Sequence, residues 1–275
     1  MGGTGRSEAA HHAAAEVTGS SDRSPTGERQ PPRIGLGCVA LASASSDLGW
    51  RASVRLVQDA VDEGVTLFDT ADAYGSGNSE RLLGEALRDR RDDVTVATKV
   101  GYLFDERGRW EQTGRRAARR AMGVADLVRR QRASAPVAGT RSSGGAYDVQ
   151  DFSRQHLERA LDASLRRLRT DRVDVYQLHG PPEVRDDVID VLRGFVDAGK
   201  VLRIGLGAES VGSAAAWVAG DDRDSGLDVV QVPFGPLDPE AATDVLPACR
   251  DRGVAVWARG VLGGGLLAAA VRGDD

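Results

Sequence analysis

From residue 33 onward, short runs of β-branched and aliphatic residues alternate with longer stretches whose apolar positions recur every three or four residues. This alternation marks repeated βα units around a parallel sheet. Seven strands are expected, at 34–37, 65–68, 94–98, 173–178, 201–206, 227–232 and 254–257. Stretches 52–63, 80–88, 155–169 and 187–198 carry the helical period between them. Gly64 and Gly199 stand where two of these helices need a C-cap residue that tolerates positive φ.

Two segments break the pattern. Residues 1–32 are rich in Gly, Ser, Ala, Arg and Pro and end in Pro31-Pro32, so they bury too little apolar surface to offset the entropy of ordering. A disordered N-terminal tail is expected there, with one domain over 33–275. Residues 102–150 follow the third strand with Arg-rich and Gly/Ser-rich pieces. A long loop leaving a strand's C-terminal end lies on the side where α/β barrels keep their active sites, so this one is expected to be a partly ordered flap over a substrate pocket.

Charge and composition narrow the function. The net charge is −5, which argues against nucleic acid as a partner. Cys38 and Cys249 are the only cysteines, without paired spacing, so a disulfide framework or a Cys-based zinc site has no support and no metal is expected. No apolar run reaches the roughly 20 residues that span a bilayer, and no signal architecture opens the chain. A soluble cytoplasmic protein with a small-molecule substrate is the expectation.

The chemistry gathers at strand ends. The second strand runs out at Asp69 with Tyr74 shortly after it, the third at Lys99 and the fourth at His179. In a parallel sheet all three ends face one side. A buried charge is costly unless paired, so Asp69 and Lys99 on neighbouring strands suggest an ion pair. A neighbouring ammonium favours the phenolate of a tyrosine and makes Tyr74 a workable acid or base, while His179 can donate a hydrogen bond to a substrate oxygen. Taken singly, each residue has a structural reading. Lys99, however, is one of only two lysines among 36 basic residues, which suggests that its site requires an ammonium; Lys200, the other, sits in a turn and reads as surface. Asp72, between Asp69 and Tyr74, reads as an exposed turn carboxylate.

The run Phe68-Asp69-Thr70-Ala71-Asp72-Ala73-Tyr74-Gly75-Ser76-Gly77-Asn78-Ser79-Glu80, the strand ending in Lys99 and the pair Leu178-His179 resemble the signature of the aldo-keto reductase family. The resemblance covers about residues 33 to 270 and includes Leu165 to Asp174, Ala198 to Val201 and Leu246 to Cys249. It implies a (β/α)8 TIM barrel and an NADP- or NAD-dependent interconversion of a carbonyl and an alcohol. Tyr74 would be the general acid/base, tuned by Lys99 and Asp69, with His179 orienting the substrate. Gly207 and Ala208 stand where relatives hold the nicotinamide carboxamide with a Ser-Asn pair. Gln231 matches a second carboxamide contact, and Arg259 occupies a position where many members place an aromatic against the nicotinamide ring. Tyr147-Asp148, then Asp151-Phe152-Ser153-Arg154, together with Ile204-Gly205-Leu206-Gly207, are similar to the aldose 1-dehydrogenase branch, which oxidises sugar lactols.

After Gly263-Gly264-Gly265-Leu266-Leu267 the chain stops at Asp275, so the expected barrel lacks its eighth strand and final helix. In relatives that part binds the cofactor's adenosine and phosphates, and its loss is expected to weaken dinucleotide binding. The stop fits a fragment of a longer enzyme, a truncated enzyme completed by a partner chain, or a protein that has left redox chemistry. In the last case the same Tyr, Lys, Asp and His would serve a cofactor-independent lyase, dehydratase or isomerase, or a non-catalytic binding role. The two open edges would be covered by the tail, the long loop or a second subunit in a homo-oligomer.

Overall fold

The structure is a computed structural model that describes residues 34–41, 48–104, 149–181, 185–218 and 226–267. The expected tail at 1–32, most of the 102–150 loop, and Tyr147-Asp148 lie outside the described residues. Strands β1 (Gly35–Gly37), β2 (Leu67–Asp69), β3 (Thr95–Val100), β4 (Val173–His179), β5 (Val201–Gly207), β6 (Val229–Pro233) and β7 (Ala255–Arg259) form one parallel sheet in chain order. Helices α1 (Trp50–Asp62), α2 (Asn78–Ala86), α3 (Arg154–Leu168), α4 (Asp186–Asp197), α5 (Val211–Val218) and α6 (Val245–Asp251) connect them. The two shortest, α5 and α6, are additions to the sequence expectation; α5 is built on Gly, Ser and Ala, and α6 carries Pro247, so neither has a strong local signal.

Strand alternation separates two cores. Phe68, Val96, Val100, Tyr176, Leu178, Ile204, Leu206, Val230 and Val232 pack with helical residues such as Leu82, Leu83, Leu157, Leu161 and Leu192. On the opposite face Ala97, Val175 and Val229 form a small cluster backed by Trp257. Because side chains two apart share a face, Lys99 continues the row of Ala97, and Gln177 and His179 continue that of Val175. The register pairs Lys99 with Gln177 and His179 with Gly207.

Several strands run further toward their C-terminal ends than the apolar pattern suggests. Asp69, Lys99, Val100, His179, Gly207 and Arg259 are all strand residues. The ladder continues through them because the neighbouring backbone is there to pair with, whatever the side chain. Polar groups are thereby held on rigid backbone rather than on loops.

Helix ends are where the glycines matter. Gly64 and Gly199 have φ of +92° and +70°, and each follows a helix whose last carbonyls they help to satisfy. The Gly64 and Val65 amides donate to Val61 and Ala60, and those of Gly199 and Lys200 donate to Val196 and Phe195. This is the double bond pattern of a Schellman cap, and it turns the chain directly into β5 after α4.

Candidate active site

Lys99 is the centre of the strand-end cluster. Its side chain is 2% exposed, and its Nζ donates to Asp69 Oδ1 at 2.7 Å, Asp69 Oδ2 at 2.8 Å and the Thr70 carbonyl at 3.0 Å. A fourth contact reaches Tyr74 Oη at 3.4 Å, with the ammonium 5.0 Å from the ring centroid. Burial opposes the charge on Lys99, but attraction to Asp69 and Tyr74 and hydrogen bonds to both outweigh it and raise its pKa. The ammonium form is therefore favoured. Gln177, paired with Lys99 from β4, adds a long 3.5 Å bond to Asp69.

His179 stands beside the phenol. Its ring is edge-on to Tyr74 with centroids 5.8 Å apart, and Tyr102, three residues past Lys99, makes a second edge-on contact at 4.9 Å. Gln150 Nε2 donates to the carbonyls of His179 at 2.8 Å and Gly180 at 2.9 Å, fixing the backbone beneath the ring. Tyr102 and Gln150 form an antiparallel bridge, so the two ends of the long excursion meet beside His179. Burial, then the charges of Lys99 and Arg259, push the His179 pKa down from 6.5 to about 3. The imidazole is neutral across the working range, and among the described residues its Nδ1 has no hydrogen-bond partner.

This depressed value has a consequence for stability. Between pH 6.5 and about 3 the unfolded chain takes up a proton at His179 that the folded chain refuses, so stability rises with pH through that window. His179→Gln is expected to flatten this part of the profile. Urea denaturation at pH 4, 5, 6 and 7 for both proteins measures it, and parallel profiles would contradict the assignment.

The loop bearing Tyr74 is pinned from behind. Glu80 and Arg167 form a 2.6 Å ion pair with side chains 0% and 6% exposed, and Thr98 Oγ1 donates to the other Glu80 oxygen at 2.6 Å. Arg167 also packs on Gly77, where a Cβ would stand 2.7 Å from its Cδ. Thr70 donates to Ser79, which donates to the Cys38 carbonyl, and the Ser79 amide donates to the carbonyl of Tyr74. Asp72 corrects the expectation of an exposed turn carboxylate: it is 1% exposed, and burial, then Glu80, raise its pKa well above the carboxylate range against the pull of Arg167. The backbone places it inward, where its amide donates to the Lys99 carbonyl at 3.1 Å.

The three other residues singled out lie on the same strand ends. Gly207 faces Lys99, and a Cβ there would be 3.2 Å from Lys99 Cδ. Gln231 is 6% exposed, and its side-chain amide makes no hydrogen bond among the described residues. Arg259 Nη2 donates to the carbonyls of Ala208 at 2.9 Å and Glu209 at 2.8 Å, tying the end of β7 to the loop after β5. Lys200 pairs with Asp162 at the surface, as its turn position suggests. Sequence reasoning missed Tyr102, Gln150, Gln177, Arg167 and Glu209; only Tyr102 carried a local signal, its nearness to Lys99.

The aldo/keto reductase family model matches residues 33–275. The chain belongs to that family. An aldo-keto reductase of Schizosaccharomyces pombe, named yakc [NADP(+)], is 27% identical over 255 residues, covering 89% of this chain and 62% of its own length. An uncharacterized oxidoreductase of Mycobacterium tuberculosis is 34% identical over 246 residues, covering 86% of this chain and 60% of its own. Among solved structures, the holo form of aldo-keto reductase AKR11C1 from Bacillus halodurans superposes with a TM-score of 0.62 at 24% identity, covering 85% of this chain and 63% of that one, which shows the barrel-type fold. The chain spans about 60–62% of the length of the first curated relatives it matches. No described helix is long and apolar enough to cross a membrane.

Proposed function

We propose that this aldo-keto reductase chain carries an oxidoreductase site that interconverts a carbonyl and an alcohol with NADP or NAD, Tyr74 acting as general acid/base. The observation that supports it most is the shared contact of one buried ammonium with Asp69 and the Tyr74 hydroxyl. In the reducing direction Tyr74 gives its proton to the carbonyl oxygen, and the carbonyl carbon becomes an alcohol carbon on receiving a hydride. Lys99 meets the charge left on the phenol oxygen, and Asp69 keeps Lys99 in place. His179, neutral and therefore carrying one N–H, orients the substrate oxygen by donating to it. In the oxidising direction the phenolate takes the hydroxyl proton.

A bound nicotinamide supplies or accepts the hydride. The residues at the strand ends fit one: Gln231 has an uncommitted amide that matches the donor and acceptor of a carboxamide. Gly207 leaves backbone alone beside Lys99, and the Arg259 guanidinium is a plane suited to a ring face. The name of the fission-yeast relative favours NADP. For the substrate we extend the proposal to an aldehyde or sugar lactol, on the resemblance of Asp151 to Arg154 and Ile204 to Gly207 to the aldose 1-dehydrogenase branch. The relatives are named as reductases and oxidoreductases, which gives the cofactor-independent elimination no support.

Titrating the purified chain with NADPH and NADH tests the reading. A saturable change in nicotinamide fluorescence, lost on Gln231→Leu, is expected. A folded protein that binds neither would overturn it.

A further inference from the structure

The end of β4 lacks a strand partner on one side. The last β3–β4 pair is Val100 with Leu178, while β4 continues through His179, which pairs with Gly207 of β5. The peptide joining His179 to Gly180 donates its N–H toward β5, to the Gly207 carbonyl at 2.9 Å. Its C=O therefore points the opposite way, toward the side that β3 has left. Gly101 makes that departure: its φ is +144°, and a Cβ there would stand 2.6 Å from Phe152 Cε1. The carbonyl that carries His179 thus needs a donor from outside the ladder.

Gln150 supplies it. Its Nε2 reaches the His179 carbonyl at 2.8 Å and the Gly180 carbonyl at 2.9 Å, and the same side chain bonds the Tyr102 hydroxyl. The Tyr102 ring is edge-on to the imidazole at 4.9 Å, so Gln150 holds His179 both through its backbone and through this ring. Gln150 is itself fixed. Its bridge to Tyr102 is flanked by two 2.8 Å bonds, from the Leu103 amide to the Val149 carbonyl and from the Asp151 amide to the Gly101 carbonyl. Asp151 then accepts from the Ser153 amide at 2.8 Å, and Ser153 caps α3 by accepting from the His156 amide at 3.3 Å. The carboxamide is anchored to β3 at one end and to the start of a helix at the other.

We propose that Gln150 is a positioning residue for the reaction: its carboxamide takes the place of β3 beside the end of β4 and fixes where His179 presents its imidazole. β5 alone would restrain His179 from one side. Orientation of the reacting oxygen is sensitive to this, because a displacement of about 1 Å lowers rates by up to about 100-fold. The inference rests on the Tyr74-centred reading of the site and adds a residue that acts through His179.

The test measures kcat and KM of NADPH-dependent glyceraldehyde reduction for the wild-type chain, Gln150→Met, His179→Gln and the double variant. Gln150→Met keeps the length of the side chain and removes its donors. It should lower kcat/KM by about 10- to 100-fold in the wild-type background and by little in the His179→Gln background, since the loss runs through the imidazole. The imidazole resonances of His179, assigned by their absence from His179→Gln, should titrate at higher pH in Gln150→Met than in the wild type as water gains the ring. Should Gln150→Met fail to fold, Gln150→Ser, which leaves room for water to reach the two carbonyls, takes its place. An equal loss in both backgrounds, no loss from the Gln150 variant alone, or an unmoved titration would overturn the inference and leave the site reading intact. A folded wild type that does not reduce the aldehyde, or His179→Gln with wild-type rate, would overturn the site reading and this inference with it.

Discussion

Tyr74→Phe is expected to lower kcat for carbonyl reduction by about 100- to 10,000-fold, the range for loss of a positioned acid/base group. The substitution removes one oxygen from a half-buried ring whose remaining contacts, the edge of His179 and the face toward Lys99, persist. Fold and cofactor binding should therefore survive, and the loss should fall on kcat rather than on KM. Lys99→Met should lose activity to a similar degree but also lose stability, because Asp69, 17% exposed, would lose its cation. Steady-state rates and denaturation curves for the two variants separate these outcomes. A Tyr74→Phe protein with near wild-type rate would remove the phenol from the mechanism.

The second large effect is structural. Arg167→Leu leaves Glu80 fully buried and without its cation, and should cost about 3–5 kcal/mol of folding stability. Removing both charges, as in Glu80→Leu with Arg167→Leu, should restore much of that loss, since a buried pair is often replaceable by apolar side chains. Urea denaturation of the single and double variants checks this. A single variant that unfolds with the wild type would mean that the pair does not hold the Tyr74 loop.

The sequence made the site legible where chemistry follows local rules. Asp69, Lys99 and His179 stand out because a polar residue ending an apolar strand run is unexpected on burial grounds, and strand direction puts all three on one side. Tyr74 was legible through its motif, since a loop residue has no periodicity to place it. The strand limits fell short because the apolar pattern stops where polar side chains begin, while backbone pairing continues through Lys99 and His179.

What escaped notice is long-range. Glu80 and Arg167 are 87 residues apart, and Tyr102 and Glu209 are 107 apart, so no window along the chain pairs them. Asp72 was misjudged because a loop carboxylate is ordinarily solvated, whereas this loop folds back onto the sheet and takes its carboxyl beneath the surface. Burial of a loop residue depends on what packs over it, and here Arg167 arrives from α3.

The most direct test of the central claim is a product analysis of glyceraldehyde incubated with the purified chain, with and without NADPH. The account predicts one alcohol formed for each NADPH consumed, no conversion in its absence, and near-complete loss of both in Tyr74→Phe. Conversion without nicotinamide, or NADPH consumption that Tyr74→Phe leaves untouched, would contradict it.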